Sequence, residues 1–290
     1  MIAPFLKDDG FLAELDSPAR AADELRLWWM GQSGFLLRYA DKRLLLDPYL
    51  SDSLTRKYAN TDKPHVRMTE RVVAPECLQG RLHVVTSSHN HTDHLDPETL
   101  LPLLQADRPP RLVIPEANRS GVSERLKIPK VSMTGLDDGA IVELDGFEIY
   151  GVAAAHNEVT RDDQGRCQYL GYVVRCGPWT VYHSGDTLCY PGMVEKLRGF
   201  AIDVALLPIN GDLPERRVAG NLNGQEAATL ARDIGAGWVV PCHYEMFEFN
   251  TASPEDFRAH CERIGQPYRV LRAGEGWSVP SRFPQPGYSE

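Results

Sequence analysis

The sequence predicts an α/β fold in which two sheets pack together with helices on their outer faces. Three observations carry this expectation. Apolar runs of strand length recur along the chain, helix-start signals follow two of them, and the chemically active side chains fall in polar turns just past the runs. The chain has 290 residues, 42% of them hydrophobic, enough to bury a sizeable core. No repeat, low-complexity stretch or linker interrupts it, so it reads as one domain over 1–290, with a core from about residue 25 to about residue 275.

A polar, helical start precedes Leu25-Arg26-Leu27-Trp28-Trp29-Met30, a strand that Gly31-Gln32-Ser33-Gly34 turns into Phe35-Leu36-Leu37-Arg38-Tyr39. Both tryptophans read as core. A third strand, Arg43-Leu44-Leu45-Leu46, stops at Asp47-Pro48, and the charged stretch from Ser51 to Cys77 reads as a loop or short helix at the mouth of a site. His83-Val84-Val85-Thr86 is a buried strand, after which Asp96-Pro97-Glu98 supplies an N-cap, a first-turn proline and an acidic residue opening a helix through Leu104. Arg111 to Pro115 is a short strand. Ile141 to Leu144 and Phe147 to Tyr150 form a hairpin about Asp145-Gly146 that runs on to His156. Gln168 to Arg175 and Trp179 to Tyr182 pair through Gly177-Pro178, and the second ends in His183-Ser184-Gly185-Asp186. Ile202 to Leu207 is a strand, Asn223-Gly224-Gln225-Glu226 has capping-box spacing and opens a helix closing at Gly235, and Trp238-Val239-Val240-Pro241 delivers His243.

The charges exclude one broad class of partner. Lys and Arg number 31 against 40 Asp and Glu, a net charge of -9, which disfavours a general grip on nucleic acid and suits a small-molecule substrate. The N-terminal residues lack a secretory pattern and no apolar run reaches membrane-spanning length, so the expectation is a cytoplasmic protein with no membrane association; self-association as a homo-oligomer is compatible with the sequence. Six cysteines without a C-x-x-C pair argue against a disulfide framework or a thiolate zinc site, and Cys242 reads as a small filler beneath His243.

Ser88-His89-Asn90-His91-Thr92-Asp93-His94 packs three histidines and an aspartate into a turn at a strand end. Imidazole and carboxylate are ligands that zinc, manganese and iron accept, and a tight turn can fan them about one point. His156, Asp186 and His243 recur in the same setting, each just past an apolar strand, and join the candidate ligand set.

With these residues in place, the chain resembles the metallo-β-lactamase superfamily, whose H-x-H-x-D-H pattern followed by a distant His, Asp and His is matched in order by His89, His91, Asp93, His94, His156, Asp186 and His243. Trp28-Trp29-Met30-Gly31, Tyr182 to Asp186, Ile202 to Ala205 and Val239 to His243 look like its L-ascorbate-6-phosphate lactonase branch. The resemblance implies a four-layer αββα sandwich and a dinuclear site. In it His89, His91 and His156 hold one divalent ion, Asp93, His94 and His243 hold the other, and Asp186 bridges; zinc or manganese is expected, iron being a further option. It also implies a hydrolase whose metal-bridging hydroxide opens a lactone or cleaves an ester or phosphoester of a small anionic metabolite, with Asp93 orienting the nucleophile or relaying its proton.

Four further residues are candidates. Arg216 and Arg217 offer a bidentate grip on a substrate phosphate or carboxylate, His183 a proton donor or a partner to Asp186, and Tyr244 an oxyanion donor. Each has a plain alternative: a solvated basic turn for the arginines, a local hydrogen bond for His183 and Tyr244. The resemblance leaves three rival functions: a phosphodiesterase or nuclease of the same superfamily, which shares the ligand set, a di-iron oxidoreductase on the same fold, and a non-catalytic metal-binding protein. The di-iron branch carries glutamate where this chain has His91.

Overall fold

The computed structural model describes residues 1–280. After helix α1 (Asp8–Leu15), strands β1 (Leu25–Gly31), β2 (Gly34–Tyr39) and β3 (Lys42–Leu46) form an antiparallel meander. Helix α2 (Ser53–Tyr58) follows, then β4 (Val84–Thr86), α3 (Pro97–Leu104), β5 (Arg111–Pro115), α4 (Arg119–Leu126) and β6 (Met133–Leu136), with β4, β5 and β6 added in parallel to β3. The second sheet repeats the scheme. Strands β7 (Ile141–Leu144), β8 (Phe147–Ala153), β9 (Leu170–Cys176) and β10 (Trp179–His183) are antiparallel neighbours. Past α5 (Met193–Arg198), β11 (Val204–Pro208), α6 (Gly224–Asp233) and β12 (Trp238–Cys242), the parallel part of this sheet is complete. Helix α7 (Glu255–Ile264) leads to β13 (Gly276–Ser278), which returns to the free edge of β1. Among the described residues the result is a seven-stranded and a six-stranded mixed sheet, as the α/β expectation requires.

Local chemistry explains these elements. β1 is buried at every position and β2 at all but its last, the reading of strands covered on both faces. Asp145 and Gly146 both adopt positive φ, the condition for the two-residue turn between β7 and β8. Asn223 accepts from the amides of Gln225 and Glu226 while Glu226 reaches back to the Asn223 amide, so the capping box forms as read. Pro241 cannot donate to a ladder, and β12 accommodates it as the edge strand of its sheet.

Hydrophobic side chains of both sheets form one continuous core, and a small satellite of Tyr49, Leu54, Met246 and Phe247 sits beside it. The sheets are tied together by Tyr172 donating to the Ser87 carbonyl at 2.9 Å and by His183 Nε2 donating to the Ser33 carbonyl at 2.8 Å. Because β1, β3 and β4 share a direction in one sheet, and β8, β10 and β12 in the other, their carboxyl ends meet along one rim. Among the described residues, no helix is long and apolar enough to cross a membrane.

Candidate metal centre

Four of the strands that end on the rim each contribute a side chain or loop to a single cluster. β4 leads into His89, His91, Asp93 and His94, β8 into His156, β10 into Asp186, and β12 into His243. Gly185 makes the approach of two of these loops possible. Its φ is +60°, and a Cβ there would stand 2.7 Å from the Ser88 Cβ.

The seven predicted side chains converge. Three overlapping groups, His89 with His91 and His156, His89 with His94 and Asp186, and Asp93 with His94 and His243, each bring their candidate ligand atoms within 4.8 Å of one another. His156 Nε2 lies 3.2 Å from His91 Nδ1. Two nitrogens bound tetrahedrally to one zinc ion at about 2.0–2.1 Å would stand about 3.3 Å apart. Asp186 lies between the groups, with Oδ1 at 3.2 Å from His94 Nε2 and Oδ2 at 3.4 Å from His243 Nε2 and 3.8 Å from His156 Nε2. Asp93 Oδ2 is 3.7 Å from both His94 Nε2 and His243 Nε2.

Hydrogen bonding leaves three of the inward atoms without partners. His89 Nε2, His94 Nε2 and Asp186 Oδ1 are buried and make no hydrogen bond; the last two, though close, lie off the line such a bond needs. The outward nitrogens are held: His94 Nδ1 by Asp47 at 2.7 Å, His89 Nδ1 by Ser88 Oγ at 3.0 Å, and His156 Nδ1 by the Gly220 carbonyl at 3.1 Å. One nitrogen anchored and the other aimed at a common point is the arrangement of metal-ligating imidazoles.

Electrostatics agree with a cationic occupant. Burial presses His89 well below the ordinary imidazole value, and its histidine neighbours add to this. Burial acts the same way on His94, yet Asp186, Asp93 and Asp47 outweigh it and hold this ring well above its usual value. Asp186 is buried, which opposes its charge, but His94 and His243 bring it well below the carboxylate range. Carboxylates thus converge on a buried point that calls for positive charge.

A cavity of about 600 Å³ opens on the cluster and is lined by His91, Asp93, His156, Asp186 and His243. His65 also lines it, within the Ser51 to Cys77 stretch read as part of a site mouth.

The remaining candidates separate. Arg217 lines the cavity and pairs with Asp62 at 2.5 Å. Arg216 does not line it; its guanidinium donates to the Asn210 and Thr251 carbonyls and straps the loop. His183 is buried, held to the Ser33 carbonyl, and absent from the cavity wall, so it ties the two sheets rather than serving as a proton donor at the cleft. Tyr244 stacks on Trp29 at 4.3 Å and donates to the Leu271 carbonyl, which takes its hydroxyl out of the cavity and away from any oxyanion role.

Three contributors were not singled out from the sequence. Asp47 anchors His94. Gln32, at φ +50°, places its amide nitrogen 2.8 Å from Asp93 Oδ2 and 3.0 Å from His243 Nε2, and its carbonyl accepts from the His243 amide. Arg125 on α4 clamps the metal loop by donating to the Asn90 carbonyl and Thr92 Oγ1, both at 2.6 Å. Asp47 shares the strand-end position of the ligands, a usable signal; Gln32 sits in a Gly-rich turn and Arg125 in a polar helix, where nothing marks them.

Comparison with known proteins places this geometry in context. A family model described as Beta-lactamase superfamily domain matches residues 26–243. A UPF0173 metal-dependent hydrolase of Pyrobaculum aerophilum is 27% identical over 243 residues, covering 83% of this chain and 94% of the relative. One from Opitutus terrae is 29% identical over 255 residues, covering 87% and 98%. Among solved structures, the metallo hydrolase Igni18 of the archaeon Ignicoccus hospitalis superposes with a TM-score of 0.65 at 22% identity, over 89% of this chain and 100% of that one, a likeness of fold.

Proposed function

The chain belongs to the metallo-β-lactamase superfamily, and from that premise we propose that it is a metal-dependent hydrolase that opens a lactone or cleaves an ester or phosphoester of a small anionic metabolite. The observation that carries this reading is the set of buried atoms His89 Nε2, His94 Nε2 and Asp186 Oδ1, which make no hydrogen bond, at the centre of a cluster open to the cavity. A structural zinc site is closed by its protein ligands, whereas this one faces a space that a substrate can enter.

In the proposed site His89, His91 and His156 would hold one divalent ion and Asp93, His94 and His243 the other, with Asp186 beside both groups, its Oδ1 nearest His94 and its Oδ2 facing His243 and His156. Bound there, two such ions lower the pKa of water from about 16 toward about 7 and polarise the carbonyl or phosphoryl oxygen of the substrate. The protein's share is placement and proton handling. Asp93 reaches the cavity while its Oδ2 accepts from Gln32, so it can orient the attacking water and pass that proton to the leaving oxygen as the C–O or P–O bond breaks. Arg125 keeps the loop bearing His91 and Asp93 in register. Zinc and manganese both suit this nitrogen and carboxylate set.

The test is metal analysis of the purified chain, followed by rates on lactones, carboxylate esters and bis-p-nitrophenyl phosphate before and after chelation. About two ions per chain, chelator-sensitive turnover and loss of both in Asp186→Ala are expected. Full activity in the chelated protein, or in Asp186→Ala, would overturn the reading. A strong preference for the phosphodiester would move the assignment to a phosphodiesterase.

A further inference from the structure

The cavity is larger than a bare anion needs, and its walls differ in character. About 600 Å³ matches the space taken by a molecule with a body as well as a reactive group. One wall is aromatic. His65 stacks on Tyr58 at 4.2 Å with 20° between the planes, and meets Phe249 at 4.5 Å and Phe247 at 5.1 Å. Tyr58, His65 and Phe249 are only half-buried, so the array keeps ring surface open where it lines the cavity.

The other feature is charge. In a chain of net charge -9, the side chains that line the cavity outside the metal cluster include Lys57, Lys63, Arg125 and Arg217 but only one carboxylate, Asp62. Asp62 is taken by Arg217, and Arg125 is engaged with the metal loop. The Lys57 ammonium lies 5.0 Å over the Tyr58 ring, and Lys63 has Asp62 and Arg217, already paired with each other, as its charged neighbours. Ordinary solvated lysines would account for the charge alone. They would not account for open ring surface in the same cavity, which water covers at a cost.

We propose that this cavity selects an aryl-bearing anion: a planar aromatic or heteroaromatic ring lies against Tyr58, His65 and Phe249, and its negative group is met by Lys57 and Lys63. The inference rests on the hydrolase reading and supplies its substrate class, an ester, lactone or phosphoester attached to such a ring. Flat rings offer the largest contact area to this wall, and a charge-assisted contact at the mouth fixes which end enters first.

Binding of unreactive probes tests this apart from turnover. Naphthalene-1-sulfonate, methanesulfonate and 1-naphthalenemethanol are titrated calorimetrically into the metal-free and the zinc-loaded protein. Naphthalene-1-sulfonate should bind at least about tenfold more tightly than either single-feature probe in both forms. Phe249→Ala should erase much of its lead over methanesulfonate, and Phe249→Leu, which keeps the volume and loses the ring, should cost about threefold. Lys57→Gln with Lys63→Gln should erase its lead over the alcohol and leave alcohol binding unchanged. Equal affinities for the three probes, no measurable binding of the sulfonates, or wild-type affinity in the Phe249 variants would overturn the proposal. Failure of the hydrolase reading shows separately, as absence of zinc uptake or of any chelator-sensitive turnover.

Discussion

Asp47 Oδ2 lies 2.7 Å from His94 Nδ1, and this contact decides which nitrogen of His94 is left for the cluster. The carboxylate is fixed in turn by the Ser88 amide at 3.0 Å, the Ser88 hydroxyl and Thr86 Oγ1 at 3.0 Å. Burial alone would push Asp47 toward its neutral form, but the His94 hydrogen bond and the charges of His183 and His94 hold it below the ordinary carboxylate value. Asp47→Asn keeps the shape and removes the charge. Metal affinity at the His94 position should fall about 10- to 100-fold, read by competition with a chromophoric chelator. An unchanged affinity would show that His94 needs no such anchor.

Gln32 is the other unexpected neighbour. Its amide donates to Asp93 beside His243, while its own Oε1 is buried without a partner. Gln32→Leu keeps the bulk and removes the donor, leaving Asp93 free to turn. We expect kcat to drop by about 10- to 100-fold with the metal content intact. Loss of metal instead of rate would mean that the amide builds the site rather than orients Asp93.

These two residues show where sequence reasoning reaches its end. His89 to His94, His156, Asp186 and His243 were legible because their chemistry is unusual for strand ends and their types agree on one purpose. Asp47 occupies the same kind of position, but a lone aspartate before proline is also ordinary turn chemistry. His183 and Tyr244 adjoin the loops that carry ligands, yet adjacency in sequence does not give direction. His183 is still on its strand, bonded across to the other sheet, and His243 adopts a left-handed φ of +61°, after which Tyr244 points its hydroxyl at Leu271. Helix α4, RSGVSERL, has too few apolar residues to show a period, and β6 and β13 are short strands completed by pairing partners distant in sequence. Such elements are created by tertiary context, which a local pattern cannot display.

Tyr244→Phe separates the two roles offered for that residue. Its hydroxyl satisfies the Leu271 carbonyl in a buried setting, so the variant should lose about 1 kcal/mol of stability in urea unfolding. The rate kcat/KM should stay within about twofold of the parent, since no transition-state contact is lost. A loss of about a hundredfold or more in rate, with stability preserved, would restore the oxyanion role.

Acid stability should report on Glu24. Its buried carboxylate accepts from the Arg20 amide at 2.8 Å and from Ser278 Oγ, and stands 3.4 Å from Arg38, tying the start of β1 to β2 and β13. Burial raises its pKa, but the Ser278 and Arg20 hydrogen bonds and the Arg38 charge together bring it below the ordinary 4.5. A carboxyl whose folded-state value is depressed adds stability that is present above the unfolded value and disappears as pH falls through the folded one. Glu24→Gln should therefore melt lower than the parent at pH 7, and the gap should close as the pH drops from about 4.5 through the folded value of Glu24. Thermal melts followed by circular dichroism from neutral to acid pH read this difference directly, and a gap that stays constant across the range would show that the Glu24 charge contributes nothing to holding these strands together.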